Sequence, residues 1–344
     1  MRGYGAKENG HSFLEETVRP SPVARTVGVA VGVALLQLIM IVAFSWPAAR
    51  TAPRDVPIVV TGPQAAVVAD LLDRGRPGAF DVRTRPDEAA ARAAIANREA
   101  YGAVVTSPSG PKVLTASAAS PLVAQQLAAM ATRLEPGGAP APPPVQDVVA
   151  ADSDDPRGAG FGALALPLTM SGLAAAVLLT FAIPSLAWRT AGTVIFAGLG
   201  GLGIAWIAQG WLSLLPGSYI TLAGAMALSV LAVTGTVVGL AAALGRAGFG
   251  LGALTLLLLG NPLSAATSAP ELLPQPWGTI GQYLPPGAAA TLLRSVAFFD
   301  GAGDTGPLTV LTAWAAAGFA LVVLGGLRRR SEGEAVPDRE PVLA

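Results

Sequence analysis

The sequence predicts an α-helical polytopic membrane protein: six transmembrane helices, with a small extracytoplasmic α/β domain inserted between helices 1 and 2. Three observations carry this. Hydrophobic residues make up 52% of the 344 positions and charged residues 13%, about half the charge of a soluble domain, and the mean hydropathy is +0.55. Charge is unevenly placed, since only Arg189 and Arg246 are charged between residues 158 and 262. The stretch 50–157 breaks this pattern with 11 basic and 12 acidic residues, as a water-soluble segment would.

The first span is 26–46, apolar apart from Gln37. Roughly 20 residues at about 1.5 Å each cross a hydrocarbon core. The run is too long for a cleaved signal peptide and 25 residues precede it, so it is expected to stay as an anchor. Four further spans follow at about 161–186, 191–212, 219–244 and 247–262. The last is short, and either runs on to 269 or bends at Asn261-Pro262. A sixth is expected at 306–327. Arg2, Lys7, Arg19 and Arg25 precede the first span, Arg189 and Arg246 lie in turns, and Arg328, Arg329 and Arg330 follow the last. Six crossings with both termini inside put every one of these on the cytoplasmic side. The expected plan is a cytoplasmic tail 1–25, helix 26–46, an extracytoplasmic domain 47–157, a five-helix bundle 158–327 and a cytoplasmic tail 328–344. The localisation is a multi-pass protein of the plasma (inner) membrane, with the bilayer as its first partner.

Within 47–157 short β runs alternate with helical ones. Strands are expected at 56–61, 80–85, 101–106, 112–116 and 145–150, and helices at 64–72, 87–97 and 120–134. The helix 87–97 has acids in its first turn, which suits the helix dipole. Ser120-Pro121 is an N-cap followed by a first-turn proline. A Pro-rich linker covers 136–144. Phe80 and Tyr101 are expected to pack in the core. Arg74, Arg76, Arg83 and Arg85 are expected to form a solvated face neutralised by Asp70, Asp73, Asp81 and Asp87, the alternative being a contact with anionic headgroups or an anionic ligand.

Several chemistries are excluded. The chain has no cysteine, one histidine (His11) and two lysines, Lys7 and Lys112. That removes thiolate sites and histidine clusters. A Ser-His-Asp triad is not expected, because His11 lies in a polar N-terminal tail, and neither lysine lies in a phosphate-binding Gly-x-x-x-x-Gly-Lys-Ser/Thr loop. No carboxylate lies in the spans, so a proton relay has no candidates. No catalytic residue, cofactor or metal is expected, and the chain is not expected to be an enzyme. Zero net charge gives no reason to expect nucleic acid as a partner. Gly198 to Gly203 matches Gly-x-Gly-x-x-Gly but lies inside an apolar span, where close helix packing is the better account. Gly235 with Gly239, and Gly248 with Gly252, are small-x-x-x-small pairs of the same meaning and suit a packed bundle or a homodimer.

The segment 263–305 is too apolar for free solvent and too Pro-rich for one straight span. It suits short helices dipping into the outer membrane face. Asn261, Glu271, Tyr283 and Arg294 are the candidates for a substrate path or outer mouth there. Glu271 and Arg294 are its charges, expected to pair, line a mouth or anchor at the interface.

With these stretches in view the chain resembles a family. One span, an outer α/β domain and five spans with a Pro-rich outer segment before the last are similar to the ABC-2-type membrane permeases, in particular the phage-infection-protein-like branch of actinobacteria. The stretches carrying it are 78–83, Asp87-Glu88-Ala89, Tyr101-Gly102-Ala103, 155–158 and 283–287, and it covers about 26–327. The GC-rich codon bias implied by abundant Ala, Gly, Pro and Arg agrees with an actinobacterial source. The resemblance implies a permease half that dimerises, exports a hydrophobic or amphipathic substrate and takes its energy from a separate ATPase subunit. The alternative is a receptor or scaffold whose outer domain binds a cell-envelope ligand.

Overall fold

The computed structural model describes residues 21–108, 110–131 and 144–334. The expectations for the N-terminal tail up to residue 20, for most of the Pro-rich linker and for the last ten residues lie outside these. The described chain is a set of long apolar helices with one small mixed sheet, whose strands follow the first helix in the sequence.

The helix α1 (Pro22–Ala49) is apolar on every face, and Val27, Leu35 and Ile39 are exposed. The sheet follows: β1 (Val56–Thr61), α2 (Ala65–Gly75), β2 (Phe80–Thr84), α3 (Glu88–Ala96), β3 (Gly102–Ser107), β4 (Gly110–Thr115), α4 (Pro121–Ala131) and β5 (Val145–Asp147). Its order is β2-β1-β3-β4-β5. The interior strand β1 runs parallel to β2 and β3, with Val56 opposite Phe80 and Ile58 opposite Gly102. Being covered on both faces, β1 is a continuous Val/Ile run rather than an alternating one. Val56, Ile58 and Val60 pack with Val68 and Leu72 of α2 and Leu127 of α4; Val59 packs with Ala91 and Ile95 of α3 on the other face. Each such side chain contributes about 1.5–3 kcal/mol of transfer free energy. Asp87 caps α3 by accepting from the Ala90 N–H at 2.8 Å, and Ser120 Oγ accepts from the Val123 N–H at 3.3 Å. The strand expected at 145–150 ends at Asp147.

The remaining helices are α5 (Ala159–Ala182), α6 (Leu186–Ala205, continued as a π-helical turn Trp206–Trp211), α7 (Tyr219–Leu254, continued as Thr255–Gly260), α8 (Trp277–Gln282), α9 (Pro285–Phe298) and α10 (Thr305–Glu334). The most buried of the long helices is α7, which packs against α5, α6 and α10. Among the described residues five helices are long and apolar enough to cross a membrane, against six expected. The difference lies in α7, where the two expected spans form one stretch of 42 residues, Tyr219–Gly260. That stretch is not straight. Gly245 has φ 66°, ψ −143°, a conformation open to glycine. Beyond it the chain doubles back, since Gly248 lies against Leu240 and Gly252 against Leu240 and Val237. In a continuous helix residues 237 and 252 are about 22 Å apart.

The segment after α7 joins helices to sheet. Ala269 and Leu272 enter the core on one face of the sheet, and Phe299 the core on the other. The turn Pro270–Leu272 is held by backbone bonds from Ala52 to Leu272 (3.0 Å) and from Arg54 to Glu271 (3.1 Å).

Candidate functional site: a cationic cavity between sheet and helices

A cavity of about 520 Å³ opens where the end of α3, the turn Pro270–Leu272, α8, α9 and the first turn of α10 meet. That volume lies within the roughly 300–1,000 Å³ of small-molecule sites. Each polar wall residue is placed by a local feature of the chain.

Arg98 follows α3. The Glu99 N–H donates to the Ala94 carbonyl (2.8 Å) and the Arg98 N–H to the Ile95 carbonyl (3.0 Å), the two bonds of a Schellman helix end. Arg98 occupies the left-handed position of that motif, φ 60°, where glycine is usual. A non-glycine residue there costs on the order of 1 kcal/mol or more. The side chain turns toward α9. Its Nη1 donates to the Thr291 carbonyl at 3.0 Å and to Ser295 Oγ, and the guanidinium stands 5.3 Å from the Phe299 ring centroid.

Tyr101 leads into β3, and its hydroxyl donates to Glu271 Oε2 at 2.8 Å. Burial, and then the Glu271 carboxylate, push the Tyr101 hydroxyl far above the ordinary tyrosine range, so it remains a donor. Arg294 lies on the inner face of α9 with 5% exposure. Its Nη1 and Nη2 donate to the carbonyls of Ala265 (3.3 Å) and Ala266 (2.6 Å), and its guanidinium covers Phe161 at 4.7 Å. Ala265 is itself left-handed, φ 54°. Burial lowers the Arg294 guanidinium first, and the charge of Arg98 lowers it further; both arginines stay protonated at neutral pH.

The charges do not balance. Glu271 is held by Tyr101, and Glu99, also on the wall, pairs with Arg85 at 3.0 Å. Among the described residues neither Arg98 nor Arg294 has a carboxylate within 4 Å. Carbonyls and rings satisfy some of their N–H groups without neutralising them, so two guanidiniums share the cavity with one unpaired carboxylate.

Of the four residues singled out by sequence, Glu271, Tyr283 and Arg294 line this cavity. Asn261 is not on its wall; its carbonyl accepts from Ser264 Oγ at 2.7 Å and its Oδ1 is buried without a partner. Glu271 and Arg294 share the cavity but form no ion pair. Arg98 is the residue sequence reasoning missed; Tyr101 packs against the core on both faces of the sheet, as expected, and its hydroxyl in addition reaches the cavity wall. A Schellman end lacking its glycine, at Asn97-Arg98-Glu99, was the available signal. Of the glycines, Gly239 meets the Gly318 backbone, Gly235 is the backbone that Gly318 meets, and Gly248 and Gly252 lie at the reversal. Gly198 faces open space, and Gly201 makes the close approach of α6 to Ala223 and Ala227 instead.

Trp46, Trp211, Trp277 and Tyr283 are exposed, and Trp46 stands edge-on to Trp277 at 6.5 Å. Trp314 Nε1 donates to the Tyr283 carbonyl at 2.8 Å, tying α10 to the segment before α9. Arg74–Asp70 and Arg83–Asp81 are exposed ion pairs on the sheet domain, worth little individually. No family model, curated protein or solved structure matches the chain.

Proposed function

We propose that the chain is an ABC-2-type permease subunit of the plasma membrane that exports a hydrophobic or amphipathic substrate, works as a homodimer and is driven by a separate ATPase subunit. Both termini are cytoplasmic, the sheet domain is extracytoplasmic, and the limb after Gly245 returns across the membrane, which makes six crossings in all. One observation carries the reading: the cavity at the sheet end of the helices, bordered by fixed positive charge on one side and by the apolar start of α10 on the other. Two others support the topology. Arg189, Arg246 and Arg328 gather at the opposite end, with Arg328 Nη1 donating to the Ala243 carbonyl at 3.4 Å. The exposed tryptophans at the sheet end suit an interfacial belt.

The test is affinity purification from native membranes in mild detergent, with mass spectrometry of what accompanies the chain. A stoichiometric ATPase subunit supports the permease; its absence, with export of lipids and drugs unchanged on deletion, overturns it. A second reading is a receptor or scaffold whose outer domain binds an envelope partner. It is favoured by the three-residue link 183–185 between α5 and α6, which leaves no room for a helix to engage an ATPase. A reproducible envelope partner without an ATPase selects it.

A further inference from the structure

We propose that the cavity is the headgroup site for a monoanionic amphiphile, a lipid carrying a phosphodiester or a carboxylate, with its head held between Arg98 and Arg294 and its chain leaving past the first turn of α10. This names the substrate class for the permease of the preceding section and rests on that reading for its biological meaning.

Charge selects the anion. Two guanidiniums, that of Arg294 buried, and the Glu271 carboxylate leave one net positive charge on the cavity wall, and a single negative charge on the ligand cancels it. The donors are present. Among the described residues, Nε and Nη2 of Arg98 and Nε of Arg294 have no protein acceptor. A guanidinium presents five N–H groups in a fixed fork that suits a planar or tetrahedral oxyanion.

The backbone is an independent observation. Arg98 stands in a left-handed helix end that glycine would occupy without cost, and Ala265, whose carbonyl orients Arg294, is left-handed too. Strained residues of this kind cluster at ligand sites.

The cavity's other wall explains the tail. Gly306, Pro307 and Val310 border it, and they open α10, a helix apolar enough to face lipid. A side chain at Gly306 would meet no atom within 4 Å, so that wall has open space beside it.

The test uses the full chain in phosphatidylcholine nanodiscs, with fluorescent phosphatidylglycerol, fluorescent oleate, a fluorescent phosphatidylcholine and inorganic phosphate as separate probes. Saturable binding of one or both anionic lipids is expected, with the two arms telling phosphodiester from carboxylate. Arg98→Gly should weaken it by about tenfold or more, because a charge-assisted pair is lost. It should do so without unfolding the chain, since glycine suits that backbone. Glu271→Gln, which removes the one opposing charge, should tighten binding several-fold. Gly306→Phe should abolish it by filling the open wall while leaving both arginines in place. Equal binding of the zwitterionic probe overturns the proposal. So does inorganic phosphate binding as tightly as the lipids, or anionic binding unaffected by Arg98→Gly. None of these readouts uses an ATPase. Failure of the co-purification test therefore leaves this result standing, and failure here leaves the co-purification result standing.

Discussion

Arg98 joins a left-handed backbone to a charge fixed against α9. Arg98→Ala and Arg98→Gly both remove the guanidinium and its bonds to α9, so their difference isolates the backbone. Glycine should be the more stable variant by about 1 kcal/mol, because alanine keeps the left-handed penalty. Denaturant or thermal unfolding of the detergent-solubilised chain measures this, and an equal loss in the two variants would remove strain from the account. Tyr101→Phe should cost roughly 1–3 kcal/mol by leaving the Glu271 carboxylate without its donor. Glu88 gives a pH dependence. Its hydrogen bonds to Lys112 and then to Arg92 hold its carboxyl below the ordinary value of 4.5. A lowered acid stabilises the fold above its ordinary value, and that contribution disappears as pH falls through the lowered one. Glu88→Gln should therefore flatten the stability profile below pH 4.5, by a small amount because the pair is surface-exposed and screened.

At the scale of elements, small residues decide how α7 meets its neighbours. Gly239 and Gly318 bring α7 and α10 to backbone contact, so a leucine at either position must push the helices apart. A loss on the order of 1–3 kcal/mol or more is expected for Gly239→Leu. Gly198→Leu, entering open space, should be close to neutral. Equal losses at both positions, read by thermal unfolding, would show that the glycine approaches do not hold the bundle together. The helix ends are set by other means. Arg189, 5% exposed, donates from Nη2 to the carbonyls of Thr180 and Ile183, both at 2.8 Å, closing the C-terminus of α5.

For the whole molecule the testable quantity is sidedness. The chain has no cysteine, so single cysteines report cleanly. An impermeant thiol reagent added to intact cells should label Val67→Cys on the sheet domain and leave Arg246→Cys unlabelled until the membrane is opened. The reverse pattern, or labelling of both, would overturn the proposed orientation. Asn261→Cys addresses the limb after Gly245 in the same way, because a returning limb places residue 261 on the side of residue 219 and so exposes it to the reagent with Val67→Cys.

Much of this architecture was legible along the chain. Apolar runs of membrane length, the charged interlude at 50–157, the Val/Ile strand at 56–61, the acid-capped α3 and the Ser120-Pro121 start of α4 are local features. Each is set by hydrophobic period, capping chemistry or turn residues, which act over a few positions. The Pro-rich segment identified Glu271, Tyr283 and Arg294 because charges in apolar surroundings stand out. What only the tertiary structure decided is long-range: that the limb after Gly245 packs back against Val237 and Leu240, and that Tyr101 reaches Glu271 across 170 positions. It also decided that Arg98 and Arg294, carried by different elements, enclose one cavity without a pairing carboxylate. No local pattern encodes these, because a residue's charge and backbone cost acquire a role only when packing brings distant groups within hydrogen-bond reach.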